Sequence, residues 1–155
     1  MIIVFSFGML FNIFSEILVI FIILNILRTQ SGGYHSYGNL DYCLIISMIL
    51  LVACSFIAKY YSGNFIYPMI LAIISIIYTF AKTPKINLEY ESLDKDIWEY
   101  KIDFLLMAIW FFILSFFLPK NLQNAIFIGI IIISPFMNDS VNIFLNNLRK
   151  KIFDA

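Results

Sequence analysis

IIVFSFGMLFNIFSEILVIFIILNIL, residues 2–27, is an apolar run interrupted by Asn12, Glu16 and Asn25. A helix needs about 20 such residues to cross the hydrocarbon core of a bilayer, and this stretch exceeds that. It is too long for a signal-peptide core, no basic residue precedes it, and no small-residue cleavage site follows it. The run therefore predicts a membrane helix. A carboxylate inside a span is costly, so Glu16 should find a partner, either Asn12 one turn away or a second protomer.

The rest of the chain extends that reading. Of 155 residues, 62% are hydrophobic and 13% charged, against an apolar share of about 45–50% in soluble domains. A core of this size could not hide so much apolar side chain from water, and the length suits one unit, a single integral membrane domain over residues 1–155. The formal net charge is zero, which implies no nucleic-acid surface. Two cysteines and one histidine cannot make a structural zinc site, which takes about four ligands; neither a metal nor a cofactor is expected. Cys43 and Cys54 share one apolar run. If it is helical they stand roughly 16 Å apart at about 1.5 Å per residue, too far for a disulfide, so both are expected as free thiols.

Further apolar runs fall at 42–61, 65–81, 102–118 and 122–145. With 2–27 they predict an all-α, polytopic helical membrane protein of about five transmembrane helices. Pro68 is tolerable in the first turn of the third run. The last run is broken by Pro135 and by Asn138-Asp139-Ser140, and a kink is expected at Pro135. Between the third and fourth runs, residues 82–101 form the one long polar segment. Ser92 is an expected N-cap there, and Leu93, Ile97, Tyr100 and Phe104 share a face, predicting an interfacial helix. Basic residues favour the cytoplasmic side. Segments 28–41, 82–101 and 146–155 carry eight Lys/Arg against two, Lys59 and Lys120, on the other side. A long loop, the C-terminus and residues 28–41 are accordingly expected in the cytoplasm.

That last segment opens RTQSGGYHSYGNLDYC, residues 28–43, which holds the only histidine in the chain and a cysteine at the mouth of the next apolar run. An imidazole can take a thiol proton and leave a nucleophilic thiolate. Gly32-Gly33 lets the chain turn sharply, and a cysteine in the first turn of a helix has its thiolate favoured by the helix dipole. Spacing alone is a weak signal, since an interfacial histidine and a small buried cysteine fit it equally well. Cys54 reads as helix packing.

Arg28, then Gly32-Gly33-Tyr34-His35, then Cys43 resembles the signature of the accessory gene regulator B (AgrB) family, bacterial membrane endopeptidases that mature the precursor of a quorum-sensing peptide. Asn12-Ile13-Phe14 and the polar loop after Ala81-Lys82-Thr83-Pro84 are similar to that family as well. Two features depart from its pattern. Seven residues separate His35 from Cys43 where the family has six, which puts Tyr42 at the expected position. The family also has six membrane helices and an earlier pass, so by this resemblance the chain is shortened at its N-terminus.

The resemblance implies His35 and Cys43 as the catalytic base and nucleophile. The thiolate would cut a small AgrD-like propeptide at its C-terminal side through a thioester acyl-enzyme. A thiol or hydroxyl of the propeptide would then close a thiolactone or lactone. Arg28 and Gly33 become candidates for substrate binding or oxyanion stabilisation, and Asp41 for orienting His35; the alternatives are a snorkelling anchor for Arg28 and a solvated carboxylate for Asp41. A homodimer in the lipid bilayer of a bacterial cell membrane is also implied. The competing reading is a non-enzymatic membrane protein, either a decayed relative or a peptide-binding or export component.

Overall fold

A computed structural model describes residues 2–31, 40–83 and 97–137. These form six helices and no strand: α1 (Ile2–Leu10), α2 (Phe14–Ser31), α3 (Leu40–Tyr60), α4 (Ile66–Lys82), α5 (Ile97–Ser115) and α6 (Lys120–Phe136). The all-α expectation holds.

The run at 2–27 is not one helix, as its composition predicted. It divides at Asn12, which adopts φ 55°, a left-handed conformation that asparagine tolerates better than most residues. Around it the Ile13 N–H donates to the Gly8 carbonyl at 2.8 Å and the Asn12 N–H to that of Met9 at 3.2 Å. This pair of bonds is a Schellman stop: it satisfies carbonyls at the end of α1 and reverses the chain into α2. Gly8 makes the reversal tight, because a Cβ there would lie 2.7 Å from Ile17 Cδ1. Asn12 is therefore not the partner of Glu16; it ends a helix. Asn12→Ala should lower the thermal midpoint of the detergent-solubilised protein, because alanine lacks the side-chain amide that lets asparagine tolerate the left-handed region. Asn12→Gly should match or exceed the parent, and equal midpoints for Asn12→Ala and the parent would contradict the assignment.

Helix α6 is the hub. It packs against α2, α3, α4 and α5, and Ala125, Ile126, Phe127, Ile130 and Ile133 are all buried. Gly129 lets α2 approach, since a Cβ there would meet Ile23 Cγ2 at 3.1 Å. Pro135 lies in the final turn rather than at a mid-helix kink. Its missing N–H leaves the Ile131 carbonyl without its helical donor, and two hydroxyls replace it: Ser134 Oγ at 3.0 Å and, from α4, Ser75 Oγ at 3.2 Å.

The outer helices are apolar on their outward faces. On α4, Pro68, Ala72, Ser75 and Thr79 are buried, while Tyr67, Ile70, Ile74 and Ile77 are exposed. On α5, Phe104, Ala108, Phe111 and Ser115 face in, and Leu106, Trp110 and Ile113 face out. Small residues thus fill the helix contacts, and large apolar residues lie on the outward faces. By length and composition one helix, Phe14–Ser31, is apolar enough to cross a membrane, and Ser47–Tyr60 and Ile66–Lys82 are shorter apolar helices. The expected interfacial helix is, from Ile97, the first turn of α5 itself, with Lys101 over the rings of Phe80 and Trp98 at 5.6 Å. Ser92 and Leu93 lie outside the described residues, as does 138–145 of the last predicted run.

Candidate active site

The bundle has two chemically distinct ends. At one, α2 closes and α3 opens; α4 ends there with Lys82, and α5 begins there with Glu99 and Lys101. Arg28, in the last turn of α2, belongs to this end. It is half-buried, and its positive charge complements the carbonyl-rich terminus of the helix. Ser31 closes α2 in full burial. Gly33 and His35 lie outside the described residues.

Helix α3 begins at Leu40. Asp41 and Cys43 thus occupy its first turn, where backbone N–H groups favour negative charge. Register bears on the one-residue offset. The buried face of α3 is Leu51, Cys54, Ser55 and Ala58. At about 100° per residue, its centre lies roughly 70° from position 43 and roughly 170° from position 42. Position 43 is on the flank of the face turned to the bundle; position 42 is opposite it. Cys54 is a buried free thiol in the packed middle of α3, as a packing residue would be.

The other end carries a polar cluster around Glu16. Glu16 is 1% exposed. It accepts hydrogen bonds from Ser15 Oγ at 2.9 Å and from Asn121 Nδ2, on α6, at 2.6 Å. One turn on, Asn124 is equally buried and donates to the carbonyls of Ala58 and Tyr61, each at 3.3 Å. Lys59 Nζ donates to the Asn12 carbonyl and Lys120 Nζ to that of Ser62. Glu16 sits in the first turn of α2 and its partner Asn121 is second in α6. The carboxylate therefore lies by two positive helix ends with two lysines at the same end of the bundle, which accounts for a buried acid without a chemical role. Asn121 and Asn124, spaced i and i+3 at the mouth of the last apolar run, were the further signal for this clamp.

The described residues form an all-helical bundle with large apolar side chains on its outer faces, and the sequence before Cys43, in the first turn of α3, carries the one histidine of the chain. A protein-family model described as Accessory gene regulator B matches residues 1–137. The chain belongs to the accessory gene regulator B family. That family is membrane-associated and takes part in processing the autoinducing peptide of quorum sensing from the AgrD propeptide, as a peptidase-like protein. No curated protein and no solved structure matches the chain. Among the described residues no group of His, Cys, Asp and Glu could hold a metal ion.

Proposed function

We propose that the protein is a multi-pass membrane cysteine endopeptidase that cuts an AgrD-like propeptide and promotes its cyclisation. The observation that carries the reading is the family match over residues 1–137, a span that includes 28–43, together with the start of α3 at Leu40, three residues before Cys43. The outward apolar faces of α4 and α5 support several membrane passes. Arg28, Lys82 and Lys101 share the end of the bundle at which α3 opens, which supports a cytoplasmic catalytic end.

In this mechanism His35 takes the Cys43 proton. The thiolate adds to the carbonyl carbon at the C-terminal side of the signal segment. The tetrahedral oxyanion collapses to a thioester, and the amine of the released C-terminal fragment takes the proton from the imidazolium. A thiol of the propeptide then gives up its proton, attacks the thioester and closes the thiolactone, returning the Cys43 thiolate; a hydroxyl in its place would close a lactone. The exchange between thioesters is nearly balanced, so water must be kept from the acyl-enzyme for the ring to prevail over hydrolysis. Arg28 binds acidic groups of the propeptide or the oxyanion, Gly33 allows the turn that brings His35 back over α3, and Asp41 orients the imidazole.

Alkylation tests the thiol chemistry directly. Iodoacetamide should modify Cys43 much faster than Cys54 near neutral pH, and His35→Ala should remove most of that difference. Slow and equal labelling of both cysteines would instead favour the non-enzymatic reading.

A further inference from the structure

We infer that the corner of the bundle where the start of α2, the end of α3 and the start of α6 meet docks the headgroup of an anionic phospholipid, held by Lys59 and Lys120. The inference rests on the multi-pass membrane reading and deepens it by naming a lipid class. Hydrogen bonds join the three helix ends pairwise. Asn121 to Glu16 ties α6 to α2, Lys59 Nζ to the Asn12 carbonyl ties α3 to the turn before α2, and Lys120 Nζ to the Ser62 carbonyl at 3.4 Å ties α6 to the end of α3. Both ammonium groups are thereby held at one corner, and their charge is not neutralised there. Glu16 is the one acid among the described residues at this end; it is 1% exposed, and its hydrogen bonds come from Ser15 and Asn121 rather than from a lysine.

Each lysine spends one donor on a neutral carbonyl, and an ammonium group has three. Lys120 is exposed and Lys59 half-buried, so the remaining donors can meet an anion that brings several acceptor oxygens, as a phosphodiester does. The surroundings select a lipid as its source. Tyr60 adjoins Lys59 and is 66% exposed, Tyr67 in the first turn of α4 is 67% exposed, and Phe117 just before Lys120 is 80% exposed. Exposed tyrosines of this kind mark the headgroup level of a bilayer. Toward the middle of the bundle Ile57, Ile70 and Ile113 are exposed on the same helices, an apolar surface for the acyl chains. A free phosphate ion would gain nothing from that rim. A zwitterionic headgroup carries its own cation, which two lysines repel, so the charge pattern favours a net-negative lipid.

The test is native mass spectrometry of the full-length protein in detergent, titrated with phosphatidylglycerol, phosphatidylcholine or inorganic phosphate. The parent should bind phosphatidylglycerol more tightly than phosphatidylcholine. Lys59→Gln and Lys120→Gln should each weaken phosphatidylglycerol binding roughly fivefold and leave phosphatidylcholine binding unchanged. Glutamine keeps a donor for the backbone carbonyl while removing the charge, so helical circular dichroism should be preserved. Lys59→Arg and Lys120→Arg should bind like the parent, and Lys82→Gln, at the opposite end of the bundle, should change nothing. Equal parental affinity for the two lipids, glutamine variants that bind phosphatidylglycerol like the parent, or an equal loss in Lys82→Gln would overturn the site alone. Inorganic phosphate that displaces phosphatidylglycerol at comparable concentration would show an ion site and overturn the lipid assignment. A protein that stays soluble without detergent and retains neither lipid would overturn the membrane reading and the site together.

Discussion

Cys43→Ser and His35→Ala should each lower the rate of propeptide cleavage by about 10³-fold or more, because nucleophile and base act as one unit and removing either forfeits the covalent route. Serine at position 43 keeps the helix start but offers an alcohol that a lone imidazole activates far less readily than a thiol. Alanine at position 35 leaves the thiol with only the helix terminus to favour its ionised form. Arg28→Lys should retain more activity than Arg28→Ala if the charge alone matters, and little more if the forked guanidinium does. Tyr42→Ala, on the opposite side of the helix by register, should cleave at near the parental rate. Quantifying full-length propeptide and product by mass spectrometry in co-expressing cells checks all five variants. Parental processing by Cys43→Ser would remove the thiol from the mechanism.

The second large effect falls on stability. Glu16→Ala should destabilise the bundle by about 2–4 kcal/mol. Hydrogen bonds between membrane helices contribute about 0.6–2 kcal/mol, and a buried donor left without an acceptor costs about 1–3 kcal/mol more. Here the amide of Asn121 and the hydroxyl of Ser15 both lose their acceptor, and the junction of α2 with α6 opens. Glu16→Gln keeps the shape and one carbonyl acceptor, so its loss should be smaller. In a double-mutant cycle, Glu16→Gln and Asn121→Ala should be non-additive. Thermal unfolding in detergent reads these differences. A Glu16→Ala midpoint equal to that of the parent would show that the clamp holds nothing together. Rapid labelling of Cys43 should survive in Glu16→Gln, since the cluster lies at the opposite end of the bundle.

What the sequence reveals depends on whether the signal is a pattern or a pairing. Helical class follows from composition and run length. The break at Asn12 does not, because it depends on one residue accepting positive φ and on Gly8 allowing two helices to touch; both look like minor interruptions in an apolar string. Nor does the centrality of α6. Its run is the most interrupted in sequence, yet Gly129 lets α2 approach it and the buried Asn124 ties it to the end of α3. Glu16 announces itself as a buried charge, but its partner is 105 residues away, a separation no local spacing encodes. At the candidate site the balance is reversed. Arg28, Gly33, His35 and Cys43 are legible as a motif in the sequence, and the start of α3 adds the register that separates position 43 from position 42.

The central claim is a thioester on Cys43, and its most direct test is to find it. Membranes carrying the protein would be mixed with an AgrD-type propeptide, quenched in acid, digested and analysed by mass spectrometry. The account predicts a Cys43 peptide bearing the N-terminal part of the propeptide as an acyl group, released by hydroxylamine and missing in Cys43→Ser and His35→Ala. Cleaved propeptide alongside a Cys43 that is never acylated would contradict it.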